Sequence, residues 1–133
     1  MAIVKEYILV TRINYDNLPQ VKGPYVHATK HHDLLYISGL TALGTEAQGH
    51  DVKAQTLAVL QQITSILEQE KLHKSDLVKL TIFVKDISQL PLIRPLLFNF
   101  YEENLPACSL IEVSNLIHPD LQIEIESIIA LSN

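Results

Sequence analysis

The stretch from Leu121 to Leu131 limits the fold more than any other part of the chain. It reads LQIEIESIIAL, with Ile123, Ile125, Ser127 and Ile129 on one side of an alternation and Glu124, Glu126, Ile128 and Ala130 on the other. A period of two is strand geometry, because successive side chains leave a pleated backbone on opposite faces. One face is apolar enough for a core. The other mixes carboxylates with Ile128 and Ala130, a face only partly in water. The sheet that holds this strand must be covered on one side and either wetted or packed against another chain on the other.

The remaining elements follow from period and punctuation. Ile3 to Val10 reads as a first strand, followed by turns around Asn14–Asp16–Asn17–Pro19 and a break at Gly23–Pro24. Val26 to His31 and Leu34 to Ser38 fit two strands joined near His32–Asp33, and Gly39 to His50 reads as a loop. Asp51 is a candidate N-cap for a helix reaching Leu72, with an apolar stripe at Ala54, Leu57, Leu60, Ile63 and Leu67. Leu77 to Val84 reads as a buried central strand. Ser88 is expected to cap a second helix to about Asn104, with Pro91 in its first turn and a kink or restart at Pro95. Strands Ser109–Val113 and Leu121–Leu131 close the chain. The order β-ββ-α-β-α-ββ predicts an α+β fold, a mixed sheet with two helices on one face.

Size and charge narrow the function classes. At 133 residues the chain makes one domain, residues 1–133. Only 19% of residues are charged, against about 25% for a typical soluble domain, so apolar surface needs a partner and an oligomer is expected. Ten basic and fifteen acidic residues give −5, with no basic patch, so nucleic acid is not expected as a partner. Cys108 is the single cysteine, consistent with a reducing compartment. No signal peptide is read at the N-terminus and no apolar run nears the roughly 18 residues of a membrane helix. A soluble, cytoplasmic protein is the expectation, with no membrane partner.

Candidate chemistry is sparse. His31 and His32 are neighbours expected on opposite faces, His27 and His31 lack a completing ligand, and no metal site is expected. His27, His31 and His32 read as surface or hairpin residues. There is no GxGxxG, P-loop or GxSxG, and no cofactor is expected. Cys108 lacks a sequence partner that would activate its thiol, so it reads as a packed or pocket-lining residue. Glu124 and Glu126 suit proton transfer if one is desolvated, although about 6–7 Å of strand separates them. Tyr25 follows a rigid Gly–Pro turn, which suits a ligand lid or edge packing. These residues alone describe an α+β oligomer with a candidate small-molecule pocket.

Five blocks carry a resemblance. GPYVHA (Gly23–Ala28), LLYISG (Leu34–Gly39), SDLVKLTIFVKD (Ser75–Asp86), LPACSLIEV (Leu105–Val113) and QIEIESIIA (Gln122–Ala130) are similar, in order, to signature blocks of the Rid (reactive intermediate deaminase, YjgF-like, endoribonuclease L-PSP) family. That resemblance implies a chorismate-mutase-like fold, a homotrimeric barrel, and ligand clefts between subunits. It implies cofactor-independent hydrolysis of enamines and imines to a keto acid and ammonia. Carried over by position, it makes Glu124 the catalytic, water-positioning residue. Tyr25 and Ser38 become cleft walls, and the backbone N–H of Leu110 a carboxylate donor.

Three positions depart from the family pattern. Cys108 stands where the family has an arginine that grips the substrate carboxylate. Leu40 replaces a glutamine, and Arg94, directly before Pro95, replaces a pocket-side asparagine. A neutral thiol offers neither the charge nor the fork of a guanidinium. Weak or absent turnover of amino-acid-derived imines is therefore expected, with a pocket suited to a less acidic, more apolar ligand, and Arg94 is the candidate replacement cation. The implied function is a Rid-like homotrimer binding a small metabolite, an imine or keto acid, with imine hydrolysis in question. The alternatives are a non-catalytic sensor, regulatory or chaperone-like trimer and, third, an RNA-cleaving translation inhibitor.

Overall fold

A computed structural model describes residues 9–131 of the chain. Six strands form one mixed sheet: β1 (Thr11–Ile13), β2 (Ala28–His31), β3 (Leu34–Leu40), β4 (Leu77–Val84), β5 (Ala107–Glu112) and β6 (Ile123–Ala130). Helices α1 (Val52–Gln69) and α2 (Leu90–Tyr101) follow β3 and β4. The sheet order is β1-β2-β3-β6-β4-β5. All neighbours are antiparallel except β4 and β5, which run parallel with α2 as their crossover. That connection leaves β5 at the sheet edge.

The period-two alternation of the last strand is realised in β6. Ile123, Ile125, Ser127 and Ile129 are buried, while Glu124, Ile128 and Ala130 are half-buried and Glu126 is exposed. With Leu35 and Ile37 of β3 and Leu80, Ile82 and Val84 of β4, the buried face packs under α1 and α2. The opposite face is left uncovered by the described residues and carries Tyr36, Lys79, Thr81 and Phe83 around the β6 carboxylates.

Several boundaries differ from the sequence expectation, each for a local reason. Most of the expected strand Ile3–Val10 lies outside the described residues; Leu9 and Val10 are not in a strand, and the first described strand begins at Thr11. Strand β3 runs on to Leu40 because a bulge absorbs a residue between Ile37 and Leu40. Asp51 does cap α1, its Oδ1 accepting the Ala54 N–H at 2.9 Å. Leu60, Ile63 and Leu67 of the expected stripe are buried, but Ala54 is only half-buried and Leu57 is 53% exposed; Val52, Thr56, Val59 and Ile66 complete the buried face instead. A run of steps of three loses about 60° per step and walks around a helix, whereas alternating fours and threes hold one face.

The start of α2 is also corrected. Ser88 is not its cap: a 3₁₀ turn, Ile87–Gln89, precedes the helix, and the Asp86 carboxylate accepts from the Ser88 N–H at 3.0 Å and hydroxyl at 2.6 Å. Pro91 lies in the first turn of α2, and the helix continues through Pro95 as one element. It ends at Tyr101 rather than Asn104, where Glu102 adopts φ 56°. Strand β5 begins at Ala107 and ends at Glu112, and β6 is shorter by two residues at the front and one at the back than the alternation suggested.

Candidate functional site

Glu124 is positioned by the bulge. Pairing steps from Ile37–Ser127 to Leu40–Ile125, so β3 spends three residues where β6 spends two. The bulged residues are Ser38 and Gly39, and the Glu124 side chain lies on the latter: a Cβ at Gly39 would stand 2.2 Å from Glu124 Oε2. Only a glycine leaves room for the carboxylate there. Burial pushes the Glu124 carboxyl above the ordinary glutamate range, and the charge of Glu126 on the same face pushes it further. The site therefore holds a half-buried carboxylate biased toward keeping a proton.

Ser38 fixes the wall beside it. Its hydroxyl donates to Val26 O at 2.7 Å and its N–H to His27 O at 2.9 Å, which tethers the segment following Tyr25 to the bulge. Tyr25 is 49% exposed, with its ring folded over Gly23.

Cys108, Leu110 and Arg94 form a second group. They line a cavity of about 340 Å³ between α2 and β5 with Leu97, Phe98 and Tyr101. Cys108 and Leu110 pair with the buried Leu80 and Ile82, so their side chains share the helix face of the sheet. Burial holds the Cys108 thiol above its ordinary value, against a smaller pull downward from Lys79. A thiol raised in this way is disfavoured as a nucleophile and forms part of the cavity wall. Val113 N–H donates to Val84 O at 2.8 Å; strand N–H groups alternate sides, so the Leu110 N–H points off the free edge of β5.

The two groups lie on opposite faces of one sheet. Glu124 pairs with Phe83 on the open face, whereas Cys108 pairs with Leu80 on the helix face. A single chain brings Ser38 and Glu124 together, and Cys108, Leu110 and Arg94 together, but does not join the sets.

His31 and His32 are hairpin residues as expected, His31 ending β2 and His32 lying in the turn to β3. His27 is neither a surface nor a hairpin residue: it is 5% exposed, its Nδ1 accepting the Tyr15 N–H at 2.8 Å. That leaves Nε2 to donate to Pro19 O at 2.9 Å, locking one neutral tautomer. His31 and His32 do not point apart: their ring centroids are 4.1 Å apart, because His32 leaves the strand in a turn with φ 54°. Among the described residues no group of three or more His, Cys, Asp or Glu side chains could hold a metal ion, and no helix is long and apolar enough to cross a membrane.

Sequence reasoning missed two site residues. Gly39 was visible only as the glycine of the Ser–Gly pair. Tyr101 was assigned to the apolar side of α2, yet its hydroxyl is buried without a hydrogen-bond partner among the described residues.

Comparison with known proteins supplies context. The family model described as Endoribonuclease L-PSP matches residues 15–131. A protein named 2-iminobutanoate/2-iminopropanoate deaminase from Salmonella typhimurium is 34% identical over 118 residues, covering 85% of this chain and 91% of the relative. A RutC family protein of Pyrococcus horikoshii is 34% identical over 117 residues, covering 85% and 91%. Among solved structures, a Yersinia pestis protein of the conserved Rid family superposes with a TM-score of 0.82 at 29% identity, covering 92% of this chain and 99% of that one.

Proposed function

The chain belongs to the endoribonuclease L-PSP family, the Rid family of the sequence resemblance, and shares its chorismate-mutase-like α+β fold; from that premise we propose that it is a homotrimer binding a small imine or keto acid between copies and hydrolysing the imine without a cofactor. The observation that carries this reading is the Glu124 carboxylate, held half-buried over the Gly39 bulge with its proton affinity raised. A carboxylate tuned upward toward neutral pH can take a proton from water as it attacks the imine carbon and return it to the leaving nitrogen. A relative named as an imine deaminase supports the same chemistry.

In this reading the trimer completes the site. Glu124, Ser38 and Tyr25 of one copy face Cys108, Arg94 and the Leu110 N–H of the next, since one chain keeps these sets on opposite faces. The open sheet face, with Tyr36, Phe83 and Ile128, supplies apolar surface for the packing. Carboxylates on that face and a net charge of −5 argue against RNA as the substrate.

A second reading, a non-catalytic binding trimer, is favoured by Cys108, which cannot clamp a carboxylate as an arginine does. The two are separated by following keto-acid release from freshly generated 2-aminoacrylate and from bulkier imines. Hydrolysis above the buffer rate for at least one imine, lost in Glu124→Gln, is the expected result. Release at the buffer rate for every imine would leave the binding reading in its place.

A further inference from the structure

The cavity between α2 and β5 carries more information than the carried-over residues use. Arg94 and Tyr101 are seven residues apart on α2, two turns, so they leave the same face of the helix about 10 Å apart along its axis. Leu97 and Phe98 fill the step between them and Leu110 lies opposite, all lining the same cavity. As the crossover between parallel strands, α2 runs against the direction of β5. Tyr101 therefore stands level with Cys108 at the start of β5, and Arg94 lies toward its far end. There the Ile87 N–H donates to Glu112 Oε1 at 2.9 Å, joining the start of the helical segment to the end of the strand.

The cavity thus has a polar group at each end and an apolar middle. Arg94 is the only charged residue among the described residues lining it, and it is exposed. Tyr101 is 5% exposed, and its hydroxyl has no hydrogen-bond partner among the described residues. Buried hydroxyls are normally satisfied, so this one stands ready for an acceptor brought from outside. The Cys108 beside it offers only a weak acceptor sulfur. At about 340 Å³ the space falls within the range of ligand sites for molecules well above three carbons.

Resting on the ligand site proposed above, we infer that this pocket selects elongated 2-imino or 2-oxo acids with a para-hydroxyaryl side chain: the carboxylate pairs with Arg94, the ring lies across Leu97, Phe98 and Leu110, and the far oxygen accepts from the Tyr101 hydroxyl. The carboxylate clamp has thereby moved from β5 to α2. Cys108 makes room for the ring where a longer, charged side chain would fill the floor.

Titration calorimetry on the whole protein with three stable oxo acids tests this. 4-Hydroxyphenylpyruvate should bind about fivefold more tightly than phenylpyruvate, and pyruvate at least about tenfold more weakly than either. Tyr101→Phe should erase the difference between the two aryl acids while leaving phenylpyruvate unchanged. Arg94→Met should weaken both aryl acids about tenfold or more, and Arg94→Lys should recover part of that loss. Pyruvate binding as tightly as the aryl acids overturns the inference, as does a hydroxyl preference that survives Tyr101→Phe. Imine turnover measured in parallel separates the two claims. Aryl binding as described without turnover removes the hydrolase reading and leaves this one. Turnover without aryl preference does the reverse, and neither binding nor turnover removes both.

Discussion

Replacing Gly39 by alanine should damage function while leaving the fold intact. The backbone at Gly39 has no positive φ, so alanine fits its conformation, and the smaller unfolded ensemble adds back some stability. The added methyl would meet Glu124 Oε2 at 2.2 Å, Cδ at 2.7 Å and Cγ at 2.9 Å. Ordinary contact needs about 3.5 Å, so the carboxylate must retreat by about 1 Å. A flexible side chain does that cheaply, so stability should change by no more than about 1 kcal/mol, a shift of a few degrees in Tm. Displacing a catalytic group by that distance costs about 100-fold in turnover. Keto-acid release from a hydrolysed imine, resolved into kcat and KM, should show kcat falling by that order with KM little changed. In a Glu124→Asp background, which keeps a shorter carboxylate clear of the added methyl, the same change should cost much less, because the two act through one atom group. Wild-type kcat in Gly39→Ala, or an undiminished Gly39→Ala effect in the Glu124→Asp background, would refute the placement of the carboxylate on the bulge.

Three further outcomes follow from the same geometry. The Glu124 carboxyl must be ionised to accept a proton, and its value is raised, so activity should fall on acidification at a pH above the ordinary glutamate range; Glu126→Gln removes the neighbouring charge and should move that acid limb downward, seen in a kcat/KM profile. Cys108→Arg restores the charged fork of the family pattern and should raise kcat/KM for small 2-imino acids about tenfold or more, with no gain for the uncharged imine of the same size. Gln55 is fully buried and bridges His50 O, Asp120 O and the Gln122 N–H at 3.0, 2.8 and 2.8 Å; Gln55→Ala leaves these groups unpaired and should cost about 3 kcal/mol in urea denaturation.

The alternating strand was legible because burial on one face writes itself into every second residue, and β6 follows that pattern from Ile123 to Ala130. The Asp51 cap was legible for a similar reason, since its hydrogen bond is local to four residues. Leu57 was misplaced because counting apolar residues ignores the phase of the helix. Gln55 and Gln62 carry no apolar signal, yet they are buried because their amides satisfy the Asp120 and Thr41 carbonyls, distant in sequence. His27 was hidden in the same way: its partners Tyr15 and Pro19 belong to a loop that folds over it. Within the site, the residue types at 25, 38, 108, 110 and 124 could be singled out in advance. Their division between two faces could not, because it depends on strand order and on the parallel pairing of β5 with β4.

That division makes the chain genetically bipartite in the assembly proposed above. Each polypeptide donates its carboxylate half to one cleft and its cation half to another, so damage to either half spoils a different neighbour's site. Two impaired variants, one altered at Glu124 and one at Arg94, would rescue each other when co-assembled at random. About a quarter of the clefts would draw both halves intact, in every oligomer size whose sites are shared pairwise. Activity above that of either variant alone would then report that each site is shared between two chains, without a structure of the complex.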